Sequence, residues 1–176
     1  MDTDCFAKAI EEEIASIETE RRRAREAQAL ERENRDAACR TALRVRAEVI
    51  LPLLDGFRDA FAKGKMLPRW EVASEGGIDK FSATCRSCSA NPGDLSFRIK
   101  AEVAVQENGT KLGFSVVCEC EDPLKTSESK TSELGKAGGY SVNMTGFNMT
   151  DAHRWYYNEL EKCAVACVRQ KQKQAV

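Results

Sequence analysis

Eight cysteines and a single histidine are the residues of this chain best suited to chemistry. Four of the thiols, Cys85, Cys88, Cys118 and Cys120, fall in two closely spaced pairs. Cys85-x-x-Cys88 has the spacing of a metal half-site, and thiolates so spaced hold zinc tetrahedrally. The second pair is Cys-x-Cys. On a strand it puts both thiols on one face about 7 Å apart, which makes a poor zinc half-site. Two readings follow: a small zinc-binding module at Cys85, Cys88, Cys118 and Cys120, or core thiols packing as small hydrophobes. The strand pattern given below favours core thiols, so no cofactor is expected and zinc is the alternative.

Other chemistry finds less support. A redox role for Cys85 and Cys88 lacks the strand-to-helix context that activates such a pair. His153 stands alone, without a local nucleophile signature, and reads as structural. Gly135-Lys-Ala-Gly-Gly139 lacks the spacing of a phosphate-binding loop. Arg21, Arg22, Arg23 and Arg25 alternate with Glu18, Glu20 and Glu26, as on a solvated, salt-bridged helix face. Formal net charge is -1, which points neither to nucleic acid nor to an anionic membrane. The chain is therefore expected not to be an enzyme.

The elements that must position these residues begin with a helix. Residues 5 to about 50 contain neither Gly nor Pro and are rich in Glu, Arg, Ala and Leu. Acid-first pairs Glu18–Arg22, Glu31–Arg35 and Asp36–Arg40 add about 0.2–0.5 kcal/mol each. Such a helix is about 70 Å long, more than a small domain spans. Ile10, Ile14 and Ile17 begin a heptad seam. Its middle is polar, and it resumes at Ala38, Ala42, Val45 and Val49. A helix pair sealed at both ends is expected. Pro52 should kink or restart the helix. Leu53, Leu54, Phe57, Ala60 and Phe61 then form one apolar face of a hinge that ends by Gly64 and Pro68.

Beyond Trp70 the apolar period changes to two. Shorter strands are expected at Trp70–Ser74 and Phe81–Ser87. Phe97, Ile99, Ala101, Val103 and Val105 alternate with polar residues, and Asn108-Gly109 supplies a type I′ hairpin turn. With Glu107 opposite Thr110, Val103 faces Phe114, Ile99 faces Cys118, Phe97 faces Cys120, and Arg98 opposes Glu119. Residues 121–136 read as a polar surface loop, Tyr140–Met144 as a last strand, and Thr150 as the cap of a final helix. That helix lines up Ala152, Tyr156, Leu160, Cys163 and Cys167.

The fold class expected is α+β: a long N-terminal helix, coiled-coil-like at its ends, then an antiparallel sheet packed against a C-terminal helix. The divisions are 1–50 (charged helix), 51–68 (helical hinge) and 69–176 (sheet plus helix). The N-terminus carries acids where a signal peptide carries bases, and no run approaches the about 18 apolar residues of a membrane span. A cytoplasmic, reducing location with free thiols is the expectation. The sequons at Asn108, Asn143 and Asn148 read as chance there.

The run Ile50-Leu-Pro-Leu-Leu-Asp-Gly-Phe-Arg-Asp-Ala-Phe61, with the Glu/Arg-rich helix before it, resembles GrpE-type nucleotide exchange factors. Leu51, Pro52, Leu54, Asp55 and Ala60 match the Leu-Leu-Pro-Val-Leu-Asp-x-Leu region of that family. The likeness covers about a third of the chain and stops before the β domain. It implies a dimeric co-chaperone acting on an Hsp70. The residues themselves lead to an interaction scaffold that self-associates, or binds a protein partner, through its first helix, with no membrane or nucleic-acid partner. The co-chaperone and the zinc module are the alternatives.

Overall fold

The computed structural model describes residues 3–63, 69–88, 94–124 and 131–174. A helix α1 (Thr3–Val45) passes through a π turn (Arg46–Ile50) into α2 (Leu51–Lys63). Five strands follow: β1 (Arg69–Gly76), β2 (Lys80–Cys88), β3 (Ser96–Gln106), β4 (Lys111–Glu121) and β5 (Thr131–Asn143). The chain closes with α3 (Met149–Gln174). The strands form one antiparallel sheet in chain order, a meander. The fold is α+β.

Pro52 neither breaks nor restarts the helix. It cannot donate a backbone hydrogen bond, and the chain widens one turn earlier instead: the Leu51 N–H reaches the Arg46 carbonyl. The extra residue resets the helical phase. Upstream the buried positions are Ala38, Ala42, Val45 and Val49; downstream they are Ile50, Leu54, Phe57 and Phe61. Both stripes step by four, three and four, but the second starts one residue late. A helix without the π turn would turn Leu53, Gly56 and Ala60 inward. Instead Ala60 is exposed and so leaves the inner face expected of it, while Leu53, half-buried, packs at the margin of the core.

α2 packs on β1 and β2, α3 packs on β3, β4 and β5, and the π turn sits between them against β2, β3 and α3. Both helical segments thus cover the same sheet face. Phe57, Phe61, Trp70 and Phe97 cluster at one end of that layer, in stacked and edge-to-face contacts. Phe114, Tyr140, Trp155 and Tyr156 cluster at the other, with Tyr140 stacked on Trp155. The opposite sheet face is polar. Across it Glu71 lies opposite Arg86, Arg86 opposite Arg98, and Arg98 opposite Glu119.

The β3–β4 register has Val103 opposite Phe114, Ile99 opposite Cys118 and Phe97 opposite Cys120. The turn is type I′ at Asn108 and Gly109, closed by Thr110 N–H to the Glu107 carbonyl at 3.1 Å. Glu107 also has positive φ, 47°, which the turn type alone does not require. β5 departs from expectation. It begins at Thr131, well before Tyr140, and residues 125–130 of the expected loop lie outside the described residues. As an edge strand it gains order from pairing with β4, bulging between Phe114 and Val116 and again between Cys118 and Glu119. The cap of α3 is Asn148, whose side-chain oxygen accepts from the Thr150 N–H at 2.8 Å; Thr150 itself is helical.

α1 is locked to the sheet at two turns. Arg35 Nε donates to Asp79 Oδ1 at 2.8 Å, in place of the local pair with Glu31. Arg46 donates to the Glu75 carbonyl at 3.1 Å and lies over the Phe81 ring. The tightest approach is at Gly109. A Cβ there would stand 2.5 Å from the Arg35 Cα and N, and the residue's φ is +92°. Gly109→Ala is expected to cost about 1–3 kcal/mol in backbone strain, with lost helix contact in addition. Urea unfolding with amide exchange at residues 34–42 tests this. An unchanged midpoint and unchanged protection would refute the lock.

Candidate functional site

Two regions bring functional side chains together: the thiols between α3 and the sheet, and the free half of α1.

The register places Cys85 opposite Ile99, and Ile99 opposite Cys118. Cys85 and Cys118 are therefore two strand spacings apart, about 10 Å, whereas ligands of one zinc ion with bonds of about 2.3 Å lie within about 4 Å of each other. Cys120 is one pleat repeat from Cys118, opposite Phe97. The side chain of Cys88 lies outside the described residues. Among the described residues no three His, Cys, Asp or Glu side chains are grouped to hold a metal ion.

The structure instead joins Cys118 to α3. Its sulfur is 3.6 Å from that of Cys167, and Cys163, also buried, lies one helical turn earlier on α3. The i,i+4 spacing of Cys163 and Cys167 puts both on one helix face, and that spacing was the available sequence signal. Cys118, Cys163 and Cys167 are all buried. The hydrogen bond with Cys163 favours the Cys118 thiolate, but its contact with Cys167 and its burial outweigh that and push the thiol up. Cys163 is raised by its hydrogen bond to Cys118 and then by burial. Burial raises Cys85 to about 12. These are protonated, weakly nucleophilic thiols.

A cavity of 260 Å³ opens between β5 and α3, lined in part by Lys136, Glu159, Lys162 and Cys163. Lys162 donates to Glu159 at 2.6 Å, so those two charges satisfy each other. Tyr156, fully buried, donates its hydroxyl to the Glu102 carbonyl; burial first and Glu102 second raise its pKa. His153 is exposed on α3.

The second region is the helix before residue 34. From Phe6 to Glu33 every side chain is exposed except the half-buried Thr19. At 1.5 Å per residue this arm reaches about 40 Å beyond the sheet. Phe6, Ile10, Ile14 and Ile17 are 71%, 57%, 52% and 40% exposed, though their spacing aligns them on one side. The resumed seam does not join them in pairing with another chain. Ala38, Ala42, Val45 and Val49 are spent on the molecule's own core, so the expected seam is open at its N-terminal end alone. Where the arm meets the sheet, Gln28, Glu31, Arg32, Arg35 and Asn108 line a groove of 280 Å³. No helix among the described residues is long and apolar enough to cross a membrane.

Compared with known proteins, the chain matches no protein-family model, no curated protein and no solved structure.

Two outcomes are expected for the thiols. Cys118→Ser places a hydroxyl in an apolar site and should cost about 1–3 kcal/mol. Cys118→Val should cost less, so denaturant midpoints should rank wild type, Val, Ser; the reverse order would deny an apolar packing role. The second outcome concerns pH. The folded pKa values of Cys85, Cys118 and Cys163 lie above the ordinary value of 9. Their contribution to stability is then complete about a unit or more below pH 9 and falls as pH rises through 9 toward the folded values, by up to about 1.4 kcal/mol per pH unit for each thiol. Unfolding free energies measured at pH 6.5, 8 and 10.5 should be nearly flat over the first interval and fall over the second.

Proposed function

We propose that this protein performs no reaction and acts by association, its N-terminal arm binding a helix of a second copy or of a protein partner. The observation carrying the reading is the exposed stripe Phe6, Ile10, Ile14 and Ile17 on a helix whose other half is built into the core. A stripe of four large apolar residues has little use on a solvated arm. The fixed root makes the arm a positioned handle, because Arg35, Arg46 and Gly109 hold α1 on two turns of the sheet. The buried, protonated thiols and the mutually paired Lys162 and Glu159 offer no nucleophile or free base for catalysis.

Nucleotide exchange on an Hsp70 is the second reading. It is favoured by a long helix seated on a small β body, with the resembling segment 50–61 at the junction of the two.

The test is made in the full chain. Removing residues up to Leu51 would delete Ala38, Ala42, Val45, Val49 and Ile50 from the core, so loss of association in that truncation would carry no meaning. Ile10→Lys, Ile14→Lys and Ile17→Lys together keep helix propensity and touch only exposed positions. Sedimentation should show an associating wild type and a monomeric variant with the same unfolding midpoint. Association that survives in the variant would place the interface elsewhere. Faster nucleotide release from an Hsp70 by the wild type would decide for the exchange factor.

A further inference from the structure

Resting on association through the arm, we propose that the occupant of its apolar stripe is a second copy of the chain running antiparallel, the acidic half of each arm lying along the basic half of the other. Charge along the arm is segregated. From Phe6 to Glu20 it carries Glu11, Glu12, Glu13, Glu18 and Glu20 against Lys8 alone. From Arg21 to Arg32 it carries Arg21, Arg22, Arg23, Arg25 and Arg32 against Glu26 and Glu31.

A parallel pair sets each run beside its own copy: Arg21 meets Arg21 at the seam, and Glu13 flanks Glu18. An antiparallel pair sets Glu11 and Glu18 against the partner's Arg25 and Arg32. It also lays Ile14 and Ile17 across the smaller and polar seam residues near Ala24 and Gln28. The cost is that isoleucine no longer faces isoleucine. The gain is that opposite charges lie along the whole length of both arms, where like-charge juxtaposition would otherwise oppose association.

Geometry agrees with charge. The free arm ends at Glu33, where the sheet begins to cover α1. Two arms of this length overlap fully when antiparallel, and the two sheet bodies then sit at opposite ends of the pair. A parallel pair puts both bodies at the same end. Over four heptads a straight helix drifts about 80°, so the stripe lies within about a quarter turn of the side on which each body is attached. The two bodies of a parallel pair would therefore crowd one seam. The antiparallel overlap brings Phe6 of each copy to the root of the other arm, beside the groove of Gln28, Glu31, Arg32, Arg35 and Asn108. The arrangement is two-fold and self-complementary, the commonest closed form for a homodimer.

Orientation is read by cross-linking the full chain, with the two native thiols of α1 removed by Cys5→Ser and Cys39→Ala. One preparation carries Glu13→Cys and a second, isotopically heavy, carries Ala27→Cys. The two are mixed and treated with a bismaleimide of about 10 Å span, the separation of packed helix axes. The expected product is the mixed 13–27 link, at least tenfold over 13–13 and 27–27. Predominant 13–13 and 27–27 links would overturn the antiparallel arrangement while leaving association through the arm intact. A dimer by sedimentation with no link at either site would remove the arm from the interface. A monomer at all concentrations would overturn both proposals. A charge test runs alongside: reversing Arg21, Arg22, Arg23 and Arg25 to Glu should weaken self-association at least tenfold, and mixing with a chain carrying Glu11→Arg, Glu12→Arg, Glu13→Arg and Glu18→Arg should restore pairing. Unchanged self-association of the arginine-reversed chain would refute the charge argument.

Discussion

Gly109 has no Cβ, and a Cβ placed there would collide with the backbone of Arg35. That close approach fixes where α1 meets the sheet. The hairpin turn needs positive φ at Asn108 and Gly109, so glycine is already favoured on local grounds. The helix uses the same missing atom to come down onto the turn. With α1 held there, Arg35 reaches Asp79 and Cys39 lies over the Ile78 carbonyl. Ala38 then becomes the first fully buried residue of the helix. The position of Gly109 along α1 thus sets the length of the arm.

The helix is one element with two environments, and its composition changes where the environment does. Before residue 34 its apolar residues are a spaced stripe among charges. From Ala38 small residues let the backbone approach the sheet, and Val45, Val49 and Ile50 fill the space between β2, β3 and α3. An isolated helix as polar as the arm gains little from propensity alone. Its continuity with a buried segment supplies the nucleus, so the arm propagates outward from an ordered root.

The sheet's centre was legible in the sequence because two independent signals agreed there. Strict alternation from Phe97 to Val105 and from Leu112 to Cys120, with a turn type that fixes register, left one pairing consistent with both. The edges were less legible. β5 contains Gly135, Gly138 and Gly139 with scattered polar residues, and its order comes from pairing with β4, which no local pattern records. The thiols show the same division. Their membership of the apolar stripes was readable, but the meeting of Cys118 with Cys163 and Cys167 depends on how α3 crosses the sheet. Grouping Cys85 with Cys118 and Cys120 failed to allow for the full strand between β2 and β4. For the arm, the stripe Ile10, Ile14 and Ile17 was visible. That Ala38, Ala42, Val45 and Val49 serve the molecule's own core was not, since a heptad pattern looks the same whether a second helix or a sheet covers it.

The π turn shows how a phase error in sequence becomes rigidity in structure. Two apolar stripes out of phase by one residue cannot both face the sheet from a continuous α-helix. Pro52 would ordinarily make the break between them, leaving α1 and α2 joined by a hinge. Because the widened turn absorbs the extra residue, Val49 and Ile50 are adjacent in sequence and both fully inward. The helix remains one body from Thr3 to Lys63. Whatever seats on the arm therefore fixes the direction of the sheet as well as its distance. Directional coupling of this kind separates a positioned handle from a tether; it rests on the Arg35–Asp79 pair, the Gly109 contact and the buried run from Ala38 to Val49, and the widened turn adds α2 to the same body.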